Sequence, residues 1–116
     1  MKNIEFSLII PCFNEEKNLF LLYKKIQNLL LINTFEIILV NNGSNDSSSQ
    51  ILNELEKKHS NLIVLNLEEN KGYGNGIVRG LDIAKGEFMG WTHADIQTDP
   101  NDCLKVIDFI QKKKTE

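Results

Sequence analysis

The sequence predicts an α/β fold, a three-layer α/β/α sandwich around a mainly parallel sheet, in a single domain of 116 residues. Short branched apolar runs alternate with stretches of helical periodicity, about four of each. The connections between them are short, which favours right-handed strand–helix–strand units over hairpins. Three polar loops, at 12–15, 41–46 and 93–99, each follow a strand-like run. In a parallel sheet such loops share one edge, where ligands of open α/β sheets bind.

Taken in order, Phe6 to Ile10 is a compact apolar run closed by Pro11, as expected of a strand buried on both faces. Asn14 reads as a helix N-cap with Glu15 and Glu16 in the first turn. Leu19, Leu22, Tyr23, Ile26, Leu29 and Leu30 then recur at helical spacing. Phe35 to Val40 is a second strand, and Asn41 to Asp46 a tight polar loop. A helix starts near Asp46 or Ser47 and turns Ile51, Leu52 and Leu55 inward; Leu62 to Leu65 is a third strand.

Glu69 to Gly76 is a glycine-rich loop entering a helix with Ile77, Val78, Leu81 and Ala84 on its apolar side, and Gly86 is expected to close it as a left-handed cap. Glu87 to Thr92 is the fourth strand. Asp99 then caps, and Pro100 begins, a final amphipathic helix over Asp102 to Lys113, whose Lys112 to Lys114 form a solvated cationic end.

Composition narrows the function classes. The hydrophobic fraction of 41% is that of a folded globular chain. A net charge of -3 gives no electrostatic footprint for nucleic acid. Cys12 and Cys103 lack metal-type spacing and read as small buried or half-buried thiols in a reducing compartment. No apolar run is long enough to span a bilayer and no signal-peptide pattern stands at the start, so a cytoplasmic location is expected. His59, on a polar helix end, is expected at the surface.

His93, Asp95 and Gln97 alternate after the fourth strand and so share one face of an extended backbone. An imidazole, a carboxylate and an amide oxygen together can hold a divalent cation, and the cation a diphosphate. The bland alternative is a polar strand end. Pro11 to Glu15 can likewise simply end a strand and cap a helix, or can offer Phe13 for stacking and a carboxylate to a ribose or base. Asn41 and Asn42 are ordinary turn residues, or amides reading a nucleobase edge. The loop Lys71 to Gly76 is neither a P-loop nor a dinucleotide fingerprint in its proper place, although Lys71 could sit beside an anion.

Four segments in order, Ser7 to Glu15, Val40 to Ser47, Asn70 to Gly74 and Ala94 to Pro100, are together similar to the inverting family-two glycosyltransferases. The resemblance covers nearly the whole chain and lies nearest the polyprenyl-phosphate branch, of dolichol-phosphate-mannose type. It implies the Rossmann-like GT-A fold, a UDP- or GDP-linked sugar donor, and Mg²⁺ or Mn²⁺ on its diphosphate. By resemblance Pro11, Phe13 and Glu15 line the nucleoside pocket, Asn41 and Asn42 contact the base, Lys71 lies near the nucleotide, and Asp95 is the second acid of an Asp-x-Asp motif with Gln97 adding an oxygen.

The chain departs from the pattern at Asn41-Asn42, where Asp-Asp is usual, and at His93, where the first acid is usual. Imidazole ligates Mn²⁺ but suits Mg²⁺ poorly. The family's acceptor-binding half and catalytic base lie beyond the metal motif, so the expectation is a truncated donor-binding half with no catalytic base assigned. The acceptor is expected to be a polyprenyl phosphate or a saccharide, as in cell-envelope polysaccharide synthesis. Peripheral contact with the inner face of a membrane and self-association fit the same reading. The alternative is a catalytically incomplete GT-A-like module that binds a nucleotide or a partner.

Overall fold

A computed structural model describes residues 3–94. Four strands and three helices alternate: β1 Phe6–Cys12, α1 Leu19–Leu30, β2 Phe35–Asn42, α2 Ser48–Glu56, β3 Leu62–Leu67, α3 Tyr73–Ile83 and β4 Phe88–Trp91. The strands form one parallel sheet in the order β3-β2-β1-β4. β1 is in register with β2 from Phe6↔Phe35 to Cys12↔Asn41, and with β4 from Phe6↔Phe88 to Ile9↔Trp91.

Side-chain alternation sorts the strands between two cores. Phe6, Leu8, Ile10, Phe35, Ile37 and Leu39 pack with Leu19, Leu22, Ile26 and Leu29 of α1 and Leu52 of α2. Ile9, Ile38 and Val40 face the other way, against Leu81 and Ala84 at the α3 end. The sheet is therefore the middle of three layers, with α1 and α2 on one face and α3 on the other. Both central strands are buried throughout, Ser7 and Glu36 included, which explains their largely apolar runs.

α3 approaches unusually closely. Its sheet-facing surface is Gly76, Ile77 and Gly80, and a Cβ on Gly80 would stand 2.7 Å from Ile9 Cγ2 and 3.1 Å from Val40 Cγ2. Val78, expected on the apolar side, is 54% exposed, because the two glycines rotate the packed stripe away from it.

At the opposite edge a buried polar knot joins β1, β2 and the α3–β4 loop. The Ser7 hydroxyl donates to Glu36 Oε2 (2.5 Å), the Lys85 N–H donates to the same oxygen (2.7 Å), and the Gly86 N–H donates to Ser7 Oγ (2.8 Å). Gly86 is not the left-handed helix cap that its position suggested. α3 ends at Ile83, only Gly43 and Gly72 among the described glycines have positive φ, and a Cβ at Gly86 would lie 2.6 Å from the Ser7 backbone nitrogen. Close approach to β1 is what requires glycine there.

Three further expectations are corrected. α1 begins at Leu19 with no acid in its first turn, because Asn14 takes φ 50 and the chain turns once more before the helix. β4 is shorter than the predicted span, although the Thr92 N–H still donates to the Ile9 carbonyl at 3.0 Å. His59 is half-buried rather than free on the surface: its Nε2 shares a hydrogen bond of 2.6 Å with the Tyr23 hydroxyl. The predicted final helix, Cys103, Asp95 and Gln97 lie outside the described residues. Among the described residues no helix is long and apolar enough to cross a membrane.

Candidate functional site

All four strands end on one edge because the sheet is parallel. The chain steps from β1 through β2 to β3 on one side, then crosses to β4 on the other side of β1. That reversal opens a crevice beyond the ends of β1 and β4, where neighbouring connections part in opposite directions. A cavity of about 250 Å³ lies there. Its walls come from Pro11, Cys12, Phe13 and Glu15 after β1, Asn42 at the end of β2, Asn70 and Tyr73 around the start of α3, and His93 and Ala94 after β4.

The floor is polar and carries one unmet demand. Asn42 is 3% exposed. Its Nδ2 donates to the Gly72 carbonyl at 3.2 Å, which leaves Oδ1 as the sole buried side-chain oxygen or nitrogen without a partner among the described residues. A buried unpaired acceptor costs about 1–3 kcal/mol relative to a satisfied one. Any N–H or O–H donor that enters the cavity, water included, satisfies it. Gly76 leaves the room for this side chain, since a Cβ there would come within 3.2 Å of Asn42 Nδ2.

Asn41, one residue earlier, points to the opposite face of the sheet and does not line the cavity. Its Nδ2 donates to Ser49 Oγ (2.7 Å) and to Asn66 Oδ1 (3.0 Å), and its Oδ1 accepts from the Ser44 N–H (3.4 Å). The two expected base contacts therefore divide: one amide faces the cavity and the other braces the loop.

The wall after β1 keeps Phe13 41% exposed at the opening. Glu15 accepts from Asn18 Nδ2 at 3.0 Å through Oε2, and its backbone N–H donates to Ser48 Oγ at 3.0 Å. Below it the Cys12 thiol is pushed up to about 12, first by burial and then by the Glu15 charge, so it is a neutral wall atom rather than a nucleophile. Across the opening, the His93 ring stacks on Tyr73 with centroids 5.1 Å apart and planes 16° from parallel. His93 is exposed and stands beside the first turn of α3, whose backbone N–H groups and lack of acids favour an anion.

Pro11, Phe13, Glu15, Asn42 and His93 are thus brought together. Lys71 lies outside the cavity, 67% exposed in a shallow separate depression with Asn75 and Arg79, and 3.5 Å from Glu69. Among the described residues no three His, Cys, Asp or Glu form a cluster able to hold a metal ion, and Asp95 and Gln97 fall outside that set. Asn70 and Tyr73 lie in the matching segment Asn70 to Gly74, but the sequence assigned neither of them a role. The signal was available: a parallel sheet delivers the β3–α3 loop to the same edge as the other three.

Comparison with known proteins identifies the family and the fold. The model of the family described as glycosyl transferase family 2 matches residues 7–116. The dolichol-phosphate mannosyltransferase of Pyrococcus furiosus is 32% identical over 93% of this chain and 30% of its own length. Residues 1–349 of TarS from S. aureus, solved in complex with UDP-GlcNAc, superpose with a TM-score of 0.73 at 29% identity, over 94% of this chain and 32% of that one. A Pyrobaculum calidifontis mannosyltransferase solved with GDP-Man and Mn²⁺ shares the fold, with a TM-score of 0.66 at 21% identity over 82% of this chain and 28% of that one. The chain spans about a third of the length of the curated relatives it matches.

Proposed function

Since this chain belongs to glycosyl transferase family 2, we propose that it binds a nucleotide-diphosphate sugar in the crevice beyond β1 and β4 and supplies the donor half of a glycosyl transfer. The observation that carries this is the unpartnered Asn42 Oδ1, buried at the floor of a cavity whose mouth holds Phe13. An imide-type N–H of a nucleobase satisfies that acceptor, and the Phe13 ring covers a base face. Pro11 and Glu15 complete the nucleoside wall.

The diphosphate then extends toward the first turn of α3, where the backbone N–H groups and the helix dipole offset its charge. His93, Asp95 and Gln97 would hold the divalent cation, which supplies charge neutralisation on the departing diphosphate. Lys71 adds positive charge on the outer side of the same helix start. Transfer is in-line. The acceptor oxygen, already anionic in a phosphate and giving its proton to water or a base in a hydroxyl, forms a bond to the anomeric carbon. The bond from that carbon to the diphosphate oxygen breaks, and the nucleoside diphosphate leaves with the electron pair. The acceptor class is a polyprenyl phosphate or a saccharide, bound at the cytoplasmic face of a membrane; the named activity of the Pyrococcus relative supports the former.

The His93 ring stacked on Tyr73 favours a second reading, a nucleotide-binding module without transfer activity, because an aromatic neighbour holds the ring where the family has a carboxylate. Melting the protein with UDP- and GDP-sugars, with and without Mn²⁺, separates the readings. A metal-dependent rise accompanied by donor turnover supports the transferase. A rise without turnover counts against a self-sufficient enzyme and supports the module. No response to any nucleotide excludes both.

A further inference from the structure

We propose that Asn14 is a positioning residue for the donor pocket, locked by a relay that runs from Asn41 through Ser44, so that the β1–α1 and β2–α2 loops form one rigid wall. The proposal rests on reading the crevice as a nucleotide-sugar site and adds what holds that site in shape. Among the described residues Asn14 is the sole non-glycine residue with positive φ, at 50°. It stands between Phe13 and Glu15, which both line the cavity, but does not line it itself. A left-handed residue between them sets the angle at which a ring and a carboxylate converge.

Left-handed backbone is costly for L-residues and persists only where neighbours over-determine it. Here they do. The Asn14 N–H donates to Ser44 Oγ (3.1 Å), and Asn14 Oδ1 accepts from the Asn45 N–H (2.7 Å). The zipper continues with Glu15 N–H to Ser48 Oγ (3.0 Å) and Ser47 N–H to Glu16 Oε2 (3.1 Å). Ser44 is itself fixed by Asn41 Oδ1, and Asn41 by its two donations to Ser49 and Asn66. A carboxylate at position 41 could still accept from Ser44 but could donate to neither partner. The amide therefore has a bracing role independent of any base contact.

The test is calorimetric titration of UDP- and GDP-sugars with Mn²⁺ into the wild-type chain and into Asn14→Asp, Asn14→Gly and Asn14→Ala, each with its melting temperature. Asp keeps the acceptor and tolerates the left-handed region, so affinity stays within about twofold. Gly keeps the backbone but loses the acceptor, and binding weakens roughly fivefold. Ala loses both, and binding weakens roughly 30-fold. Adding Ser44→Ala to Asn14→Gly removes the remaining bond from the residue 14 N–H to Ser44 Oγ, and binding weakens further. The Gly variant melts within a few degrees of wild type, since the bond it loses is exposed.

An Ala variant that binds like wild type overturns the proposal, as does an Asp variant that fails to rescue or an affinity loss that merely follows the melting temperature. If the wild-type chain itself ignores both nucleotides, the donor-site reading fails and takes this proposal with it. Wild-type binding with an unaffected Ala variant removes this proposal alone.

Discussion

Replacing Gly80 by alanine tests whether the close seat of α3 is a requirement or an accident. The new Cβ would stand 2.7 Å from Ile9 Cγ2, 3.1 Å from Ile9 Cγ1 and 3.1 Å from Val40 Cγ2. Carbon contacts are comfortable at about 3.5–4.0 Å, so the overlap approaches 1 Å. Ile9 and Val40 are both fully buried in central strands and cannot move aside, which leaves α3 to lift. Overpacking of this kind costs about 1–3 kcal/mol. Against it, alanine gains about 1 kcal/mol over glycine in helix propensity.

The net expectation is a loss of up to roughly 2 kcal/mol, seen as a fall in melting temperature of up to roughly 10 °C for a domain of this size. Scanning calorimetry or the far-ultraviolet circular dichroism melt measures it. Gly74→Ala is the control, because a Cβ there meets nothing within 4 Å and only the propensity gain applies. A lifted α3 also pulls Gly72 away from Asn42, so nucleotide binding should weaken in the Gly80 variant but not in the control. A Gly80→Ala protein that melts higher than wild type would show that the helix is free to shift, and the steric reasoning would be wrong.

Glu36→Ala strands the buried Ser7 hydroxyl and releases the part-buried Lys85 N–H, and chemical denaturation should register a loss of about 1–3 kcal/mol, much reduced in Glu36→Gln, which keeps an acceptor oxygen. An Ala variant as stable as wild type would contradict this. In a Cys103→Ser background, native Cys12 should resist Ellman's reagent at pH 8 and react promptly in denaturant. Its thiol value is raised from 9.0 to about 12 in the fold, so its contribution to stability is complete below pH 9 and is lost as pH rises through about 12, at about 1.4 kcal/mol per pH unit between. Asn42→Ala removes an unsatisfied oxygen together with a single 3.2 Å bond, so stability should change by about 1 kcal/mol or less while the nucleotide-induced rise in melting temperature disappears. Asp46 adds a smaller acid effect of opposite sign. Desolvation pushes its carboxyl up, but hydrogen bonds from Ser48, Glu16 and its own backbone outweigh it and hold the group low, so the loop should loosen only as pH falls through that lowered value.

What could be read from the sequence alone follows from local chemistry. A run such as Phe35 to Val40, apolar and branched but for Glu36 and Phe35, points to a buried strand, and the spacing of Leu19, Leu22, Ile26 and Leu29 puts one helix face inward. Alternation of the two then forces parallel strands and places the polar loops on one edge. Pro11, Phe13, Glu15, Asn42 and His93 could thus be gathered before any coordinates, because each closes a strand at that edge.

What the tertiary structure decided are choices among partners distant in the chain. Asn41 and Asn42 look equivalent as neighbours in a turn. Only the layer on each side of the sheet separates them, α2 and Asn66 for one, Gly72 and Gly76 for the other. Gly86 reads as a cap and Gly80 carries no local signal, yet both are contacts because Ser7 and Ile9 lie against them across more than seventy residues of chain. The left-handed Asn14 was legible as a cap and became a brace, since its partners Ser44 and Asn45 arrive from the next strand's loop. Periodicity is set within a few residues of each position and survives in the sequence. Contact across the sheet depends on strand order and on which face each side chain takes, and those exist only once the chain has folded.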